Sequence, residues 1–139
     1  MNVRDAIQLL KEHGYKNTDK RKQMLEFLAS QDKYLTAKEV LEGMKADFPN
    51  LSFDTIYRNL ALFSELGILE MTNLSGEKHF RFTCAKDEHH HHFICIECGK
   101  TKQLETCPME QVKGELSDCI IADHKFEVYG YCNSCSPAR

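Results

Sequence analysis

Two Cys-x-x-Cys pairs, Cys95 with Cys98 and Cys132 with Cys135, separated by 33 residues, constrain this chain more than any other feature. A CxxC knuckle turns both thiols toward one point, and two knuckles complete a tetrahedron around zinc at about 2.3 Å. Four thiolates leave no open coordination position, so the pattern predicts a structural ion and argues against catalysis there. The long spacing predicts that the pairs pin the end of one strand to the C-terminal tail across a small sheet. Free or redox-active thiols are the alternative reading. The total of seven cysteines is odd, which disfavours a closed disulfide framework. No apolar run approaches the roughly 18 residues of a bilayer span, and the opening MNVRDAIQLLKEHG lacks the apolar stretch of a signal peptide. A cytoplasmic protein without membrane contact is expected, and in that reducing compartment dense thiols read as metal ligands.

The run His89 to His92 adds a second metal signal. On a strand alternate side chains face opposite sides, so His89 and His91 point one way and His90 and His92 the other. One run can therefore serve two sites. The face of His90 and His92 has a natural partner in Cys84 and a further one in Glu70. A thiolate, two imidazoles and a carboxylate form a tetrahedral zinc set, and the thiolate biases against manganese or magnesium. The opposite face can recruit His124 and a carboxylate, Glu110 or Glu105. A solvated polar strand is the bland alternative, and Cys84 alone would read as a buried core thiol. Cys107 and Cys119 receive no role.

With 42% hydrophobic and 28% charged residues the chain has a soluble globular composition, and its character changes near residue 84. Residues 1–84 carry 12 basic and 12 acidic side chains, against 6 and 9 in residues 85–139. Two modules are expected, 1–84 and 89–139, with 85–88 as a hinge. Helical periodicity predicts a first helix over 3–13, a second after Thr18 with Met24, Leu25 and Leu28 inward, and a third opened by a Thr36/Glu39 capping box. The fourth follows Ser52 and should bury Phe53, Ile56, Leu60 and Phe63 before Gly67 ends it. The period then changes to two, and GILEMTNL, Ser75-Gly76 and KHFRFTC predict a hairpin. Helices followed by such a hairpin make a winged helix. Beyond the hinge, strands are expected over the histidine run, up to Leu104 and over 120–132, with a helix from Pro108 burying Met109, Val112 and Leu116.

The fourth helix is a candidate DNA reader, since Tyr57 and Arg58 lie off its apolar stripe and its capped N-terminus would face phosphate. Lys16, Lys20, Arg21 and Lys22 could supply phosphate contacts. Short basic runs are also ordinary solvated surface, and the net charge of -3 gives no independent support for nucleic acid.

The segments GYKNTDKRKQML, LSFDTIYRNLALFSELGILE, HHHHFICIECGK and HKFEVYGYCNSC together resemble the ferric uptake regulator family of bacterial metal-responsive repressors. The resemblance implies an α/β (α+β) chain: an N-terminal winged-helix DNA-binding domain and a small C-terminal α/β dimerisation domain, acting as a homodimer on palindromic double-stranded operators. It implies that the helix over 52–66 reads the major groove, with Tyr57 at bases and Arg58 at phosphate, and that Cys95, Cys98, Cys132 and Cys135 hold structural zinc. Iron and peroxide sensors of the family tend to carry a histidine, a histidine or glutamate, and an acidic residue where this chain has Tyr34, Cys84 and Gln103. The set Glu70, Cys84, His90 and His92 looks instead like the zinc uptake regulator branch. A second regulatory set carries over as His89, His91, Glu110 and His124, which demotes Glu105. The expected function is a zinc-responsive repressor of zinc-uptake genes, with one structural and one or two regulatory zinc ions per subunit and no small-molecule substrate beyond metal ions. An iron- or peroxide-sensing repressor is the alternative within the family. A zinc enzyme or zinc-storage module is the remote one, and neither HExxH nor a deaminase HxE with PCxxC is present.

Overall fold

The computed structural model describes residues 1–31, 33–83 and 90–136, so Cys84, the expected hinge 85–88 and His89 lie outside the described residues. The chain divides into two compact units, Met1–Asp87 and Glu88–Arg139.

Helices of the first unit begin where short polar side chains satisfy otherwise orphaned amides. In α1 (Val3–Glu12) Asn2 and Asp5 form a capping box, and Thr18 accepts from the Arg21 N–H at the start of α2 (Asp19–Ser30). Thr36 and Glu39 cap each other's amides at α3 (Ala37–Met44), as their spacing predicts. Ser52 accepts from the Thr55 N–H at α4 (Phe53–Glu65), and Gly67 leaves that helix with φ +78°. The chain then enters an antiparallel hairpin, β1 (Leu69–Leu74) and β2 (Glu77–Phe82). Ser75 and Gly76 turn it with φ of 53° and 81°, the left-handed pair that a tight two-residue hairpin requires. Leu35 and Phe80 exchange two backbone hydrogen bonds of 2.7 Å, tying the hairpin to the approach to α3. Ala6, Leu10, Met24, Leu25, Leu28, Val40, Ile56, Leu60, Phe63 and Ile68 are sealed from solvent at the centre. This is the winged-helix arrangement. One expected core residue is outside it: Phe53 remains 50% exposed, because the first turn of α4 projects past the apolar cluster.

The second unit is a three-stranded sheet in the order β4-β3-β5, with β3 (His91–Cys95) central. It pairs antiparallel with β4 (Thr101–Leu104) and parallel with β5 (Glu127–Gly130). The strand expected over 120–132 is thus confined to Glu127–Gly130. Ile120 and Ile121 precede any ladder partner, and Ile120 is 99% exposed. Helix α5 (Met109–Glu115) does open after Pro108, yet it buries no residue, contrary to the inward face expected of Met109, Val112 and Leu116. Among the described residues of this unit, the buried apolar side chains are Ile94 and Cys95.

Candidate functional site

The pairing of β3 with β5 assembles the four-cysteine cluster. Cys95 stands opposite Gly130 in the ladder, and the Ile96 N–H donates to the Gly130 carbonyl at 2.8 Å, so the chain two residues later delivers Cys132 beside Cys95. Gly99, with φ +78°, closes the first knuckle by donating to the Cys95 carbonyl at 3.0 Å. The Cys135 N–H closes the second on the Cys132 carbonyl at 3.0 Å. All four sulfurs lie within 4.8 Å of one another. Cys98 and Cys132 approach to 3.8 Å, and two sulfurs bound at about 2.3 Å to a tetrahedral ion stand about 3.8 Å apart.

The acidities fit a cation at that point. Burial works to raise the Cys95 thiol, but amides of Cys98, Cys132 and Glu97 outweigh it and bring it down to about 6. Cys98 is pushed up, first by burial and then by the neighbouring thiols of Cys95 and Cys132. Cys135 is raised to about 12, first by its contact with the Cys132 sulfur and then by burial. One thiolate forms readily and opposes the next, so four coexist only beside a compensating dication. The donor set fits zinc.

The histidine run behaves as strand parity dictates for the members described. His90 and His92 present their rings to each other, edge to face, with centroids 4.9 Å apart. His91 turns to the other side, where its Nε2 stands 3.3 Å from the Nε2 of His124. The same His124 nitrogen is 3.5 Å from the Cys107 sulfur, and the three donor atoms lie within 4.8 Å of one another. Phe126 packs against the His91 ring at 5.5 Å. Glu110 is not gathered into this group; it is exposed on α5 and ion-paired with Lys113 at 3.5 Å. Cys107 is the member that sequence reasoning missed. Its available signal was the cysteine count, which leaves thiols over after the two CxxC pairs.

In the first unit, Glu70 faces Arg81 across the hairpin and is ion-paired with it at 3.7 Å. Tyr57 sits on the outer side of α4, stacked on Phe53 at 6.1 Å, edge-on to Phe80 at 6.5 Å, and with the Lys78 ammonium 5.9 Å from its ring. Phe53 therefore belongs to the exposed aromatic face and not to the core stripe. Arg58 is largely exposed and ion-paired with Asp54 one turn earlier at 3.0 Å. Arg21 spans two helices: its Nε donates to Asn59 at 3.0 Å, its Nη1 to the Lys16 carbonyl at 2.9 Å, and its guanidinium lies 5.7 Å from the Tyr15 ring centre. That engagement fits a positioning role better than a free phosphate contact. Lys16 is exposed beside it. Arg21, Thr55, Arg58, Asn59 and Leu62 line one shallow depression between α2 and α4.

Comparison with known proteins gives a consistent result. Residues 12–129 match the ferric uptake regulator family. A ferric uptake regulation protein of Staphylococcus epidermidis is 54% identical over 135 residues, covering 97% of each chain. The solved structure of the Helicobacter pylori ferric uptake regulator superposes with a TM-score of 0.76 at 20% identity, over 97% of this chain and 94% of that one. The Vibrio cholerae regulator does so with a TM-score of 0.69 at 27% identity, over 90% and 98%.

Proposed function

The chain belongs to the ferric uptake regulator family, and from that premise we propose that it is a zinc-responsive repressor, binding palindromic operator DNA as a zinc-loaded homodimer and silencing zinc-uptake genes. Its family comprises metal-responsive transcriptional regulators and not enzymes. The observation that carries the zinc reading is the His90/His92 pair, rings 4.9 Å apart, in a sequence that offers a thiol at Cys84 where an oxygen or nitrogen donor would suit iron.

When bound, zinc supplies a dication that gathers thiolate, imidazole and carboxylate donors into a tetrahedron. Glu70 and Cys84 precede segment 85–88 in the sequence, and His90 and His92 follow it. Ligation by all four thus favours whichever hinge arrangement unites them, by as much as the affinity differs between arrangements. Glu70 would exchange Arg81 for this role, while Cys95, Cys98, Cys132 and Cys135 hold the structural ion. On the DNA side, Tyr57 and the neighbouring Phe53 present apolar edges suited to base contact in the major groove. Arg58 can exchange Asp54 for a phosphate, with Lys16 adding a second phosphate contact and Arg21 fixing α2 against α4. The exposed Ile120, Ile121, Val128, Tyr129 and Tyr131 supply apolar surface for a second copy of the chain. A cytoplasmic location follows from this role.

An iron-responsive repressor is the second reading, favoured by the name of the S. epidermidis relative, ferric uptake regulation protein. Fluorescence anisotropy of a labelled palindromic operator, across buffered free zinc, iron(II) and manganese(II), separates the two. Zinc alone at very low free concentration should switch binding on, and Cys84→Ser should weaken the zinc response by about a hundredfold, within the usual span of allosteric coupling. Activation by iron(II) with an unaltered response in Cys84→Ser would establish the second reading.

A further inference from the structure

We propose that Cys107 is a metal ligand, completing with His91 and His124 a thiolate-bearing, zinc-preferring site in the second unit, and that it takes the place which the family pattern gives to Glu110. Two imidazole nitrogens bound to one tetrahedral ion stand about 3.3 Å apart, and an imidazole nitrogen and a thiolate about 3.6 Å apart. The observed separations are 3.3 Å between His91 Nε2 and His124 Nε2 and 3.5 Å between His124 Nε2 and Cys107 Sγ. As hydrogen bonds, the two approaches would have to share a single nitrogen. The His124 Nε2 offers either one proton or one lone pair, and two neighbours converge on it. A cation at the common focus satisfies all three donors at once.

The fold explains why these three residues meet. His91 opens the central strand, buried and braced by Phe126. His124 lies three residues before β5, which pairs in parallel beside β3. Cys107 directly precedes Pro108 at the start of α5, and the residue before a proline is held extended. Glu110 sits on the helix itself, with Lys113 as its partner. A groove lined by Met109, Glu110, Lys113, Ile121, Asp123 and the site's own Cys107 and His124 reaches the cluster from one side. Among the described residues three ligand atoms converge there, and the groove leaves Cys107 and His124 within reach of solvent. A thiolate in place of a carboxylate biases the site toward zinc and cobalt and away from manganese.

The site shares no ligand with Glu70, Cys84, His90 and His92, so its test is independent of the zinc-repressor reading. The full-length protein is purified with one structural zinc per chain and titrated with cobalt(II) in a Cys84→Ser background. The expected result is a thiolate-to-cobalt charge-transfer band with the strong visible absorption of tetrahedral cobalt. The band should persist in Glu110→Gln and vanish on adding Cys107→Ser. A band that survives Cys107→Ser, or cobalt binding without any thiolate band, overturns the proposal whatever the operator experiments show. Alkylation mapped by mass spectrometry on the unsubstituted protein keeps the test open should the variant misfold. Added zinc should slow modification of Cys107 by at least about tenfold, since only the free thiolate reacts, while the exposed Cys119, held by Asp118, serves as the internal reference. Equal slowing of both, or of neither, contradicts the assignment.

Discussion

In the first unit four helices and a hairpin close over Leu10, Met24, Leu25, Leu28, Ile56, Leu60 and Phe63, while in the second the described residues bury Ile94, Cys95 and His91. A fully buried Leu or Phe contributes about 1.5–3 kcal/mol, so the first unit has many such contributions to set against its chain entropy. The second unit, with few buried side chains among its described residues, has far fewer such contributions. A structural zinc site contributes about 10–16 kcal/mol. One unit thus folds by excluding water from hydrocarbon, whereas the other, on the function proposed above, would depend on sulfur gathered around an ion.

The most severe way to break this comparison is Cys95→Ser. The mutant should lose its structural zinc and the fold of the second unit, a loss on the order of 10 kcal/mol, while the helices of the first persist. Hydrogen exchange resolved by segment, together with zinc content, reads both halves in one sample. Exhaustive chelation of the wild type should reproduce the pattern. A mutant that keeps zinc and protects β3 and β5 would show that the second unit is held by something other than the cluster.

Phe63→Ala tests the other side. Its ring is sealed within the first unit, and truncation of such a residue costs about 3–5 kcal/mol through lost burial and the cavity left behind. Thermal unfolding should show that loss in the transition of the first unit alone, with the four-cysteine zinc still bound. A parallel loss of zinc would mean that the two units do not draw their stability from separate sources.

What was legible in the sequence follows the same division. Caps, the Ser75-Gly76 turn and the apolar stripes of α1 to α4 are decided by residues within a turn or two of one another, so spacing alone finds them. The CxxC pairs are legible because each knuckle is local and only two need to meet. Phe53 fits the helical stripe by spacing but stands where the helix overhangs its core, which no local pattern records. Ile120 and Ile121 look like strand residues, yet a strand needs a partner and the β3 ladder reaches only Glu127 to Gly130. Cys107 was hidden for the most physical reason. Its meeting with His91 and His124 is made by the register of β3 and β5 and the start of α5, which chain spacing does not encode.

The smallest test sharpens the contrast at a single cap. Thr36 Oγ1 accepts from the Glu39 N–H at 3.2 Å, and Glu39 Oε1 accepts from the Thr36 N–H at 3.0 Å. Thr36→Ala removes the first of these and should cost about 1 kcal/mol, read as a lower denaturation midpoint of the first unit with an unchanged slope. Adjacent Leu35 pairs with Phe80 on β2, so loosening of the cap should also show as faster exchange of the Leu35 and Phe80 amides. Both effects should be the same in metal-loaded and chelated protein, because the first unit owes its stability to capped helices over a dry core. A destabilisation that grew on chelation would show instead that the first unit borrows stability from the metal-bearing half.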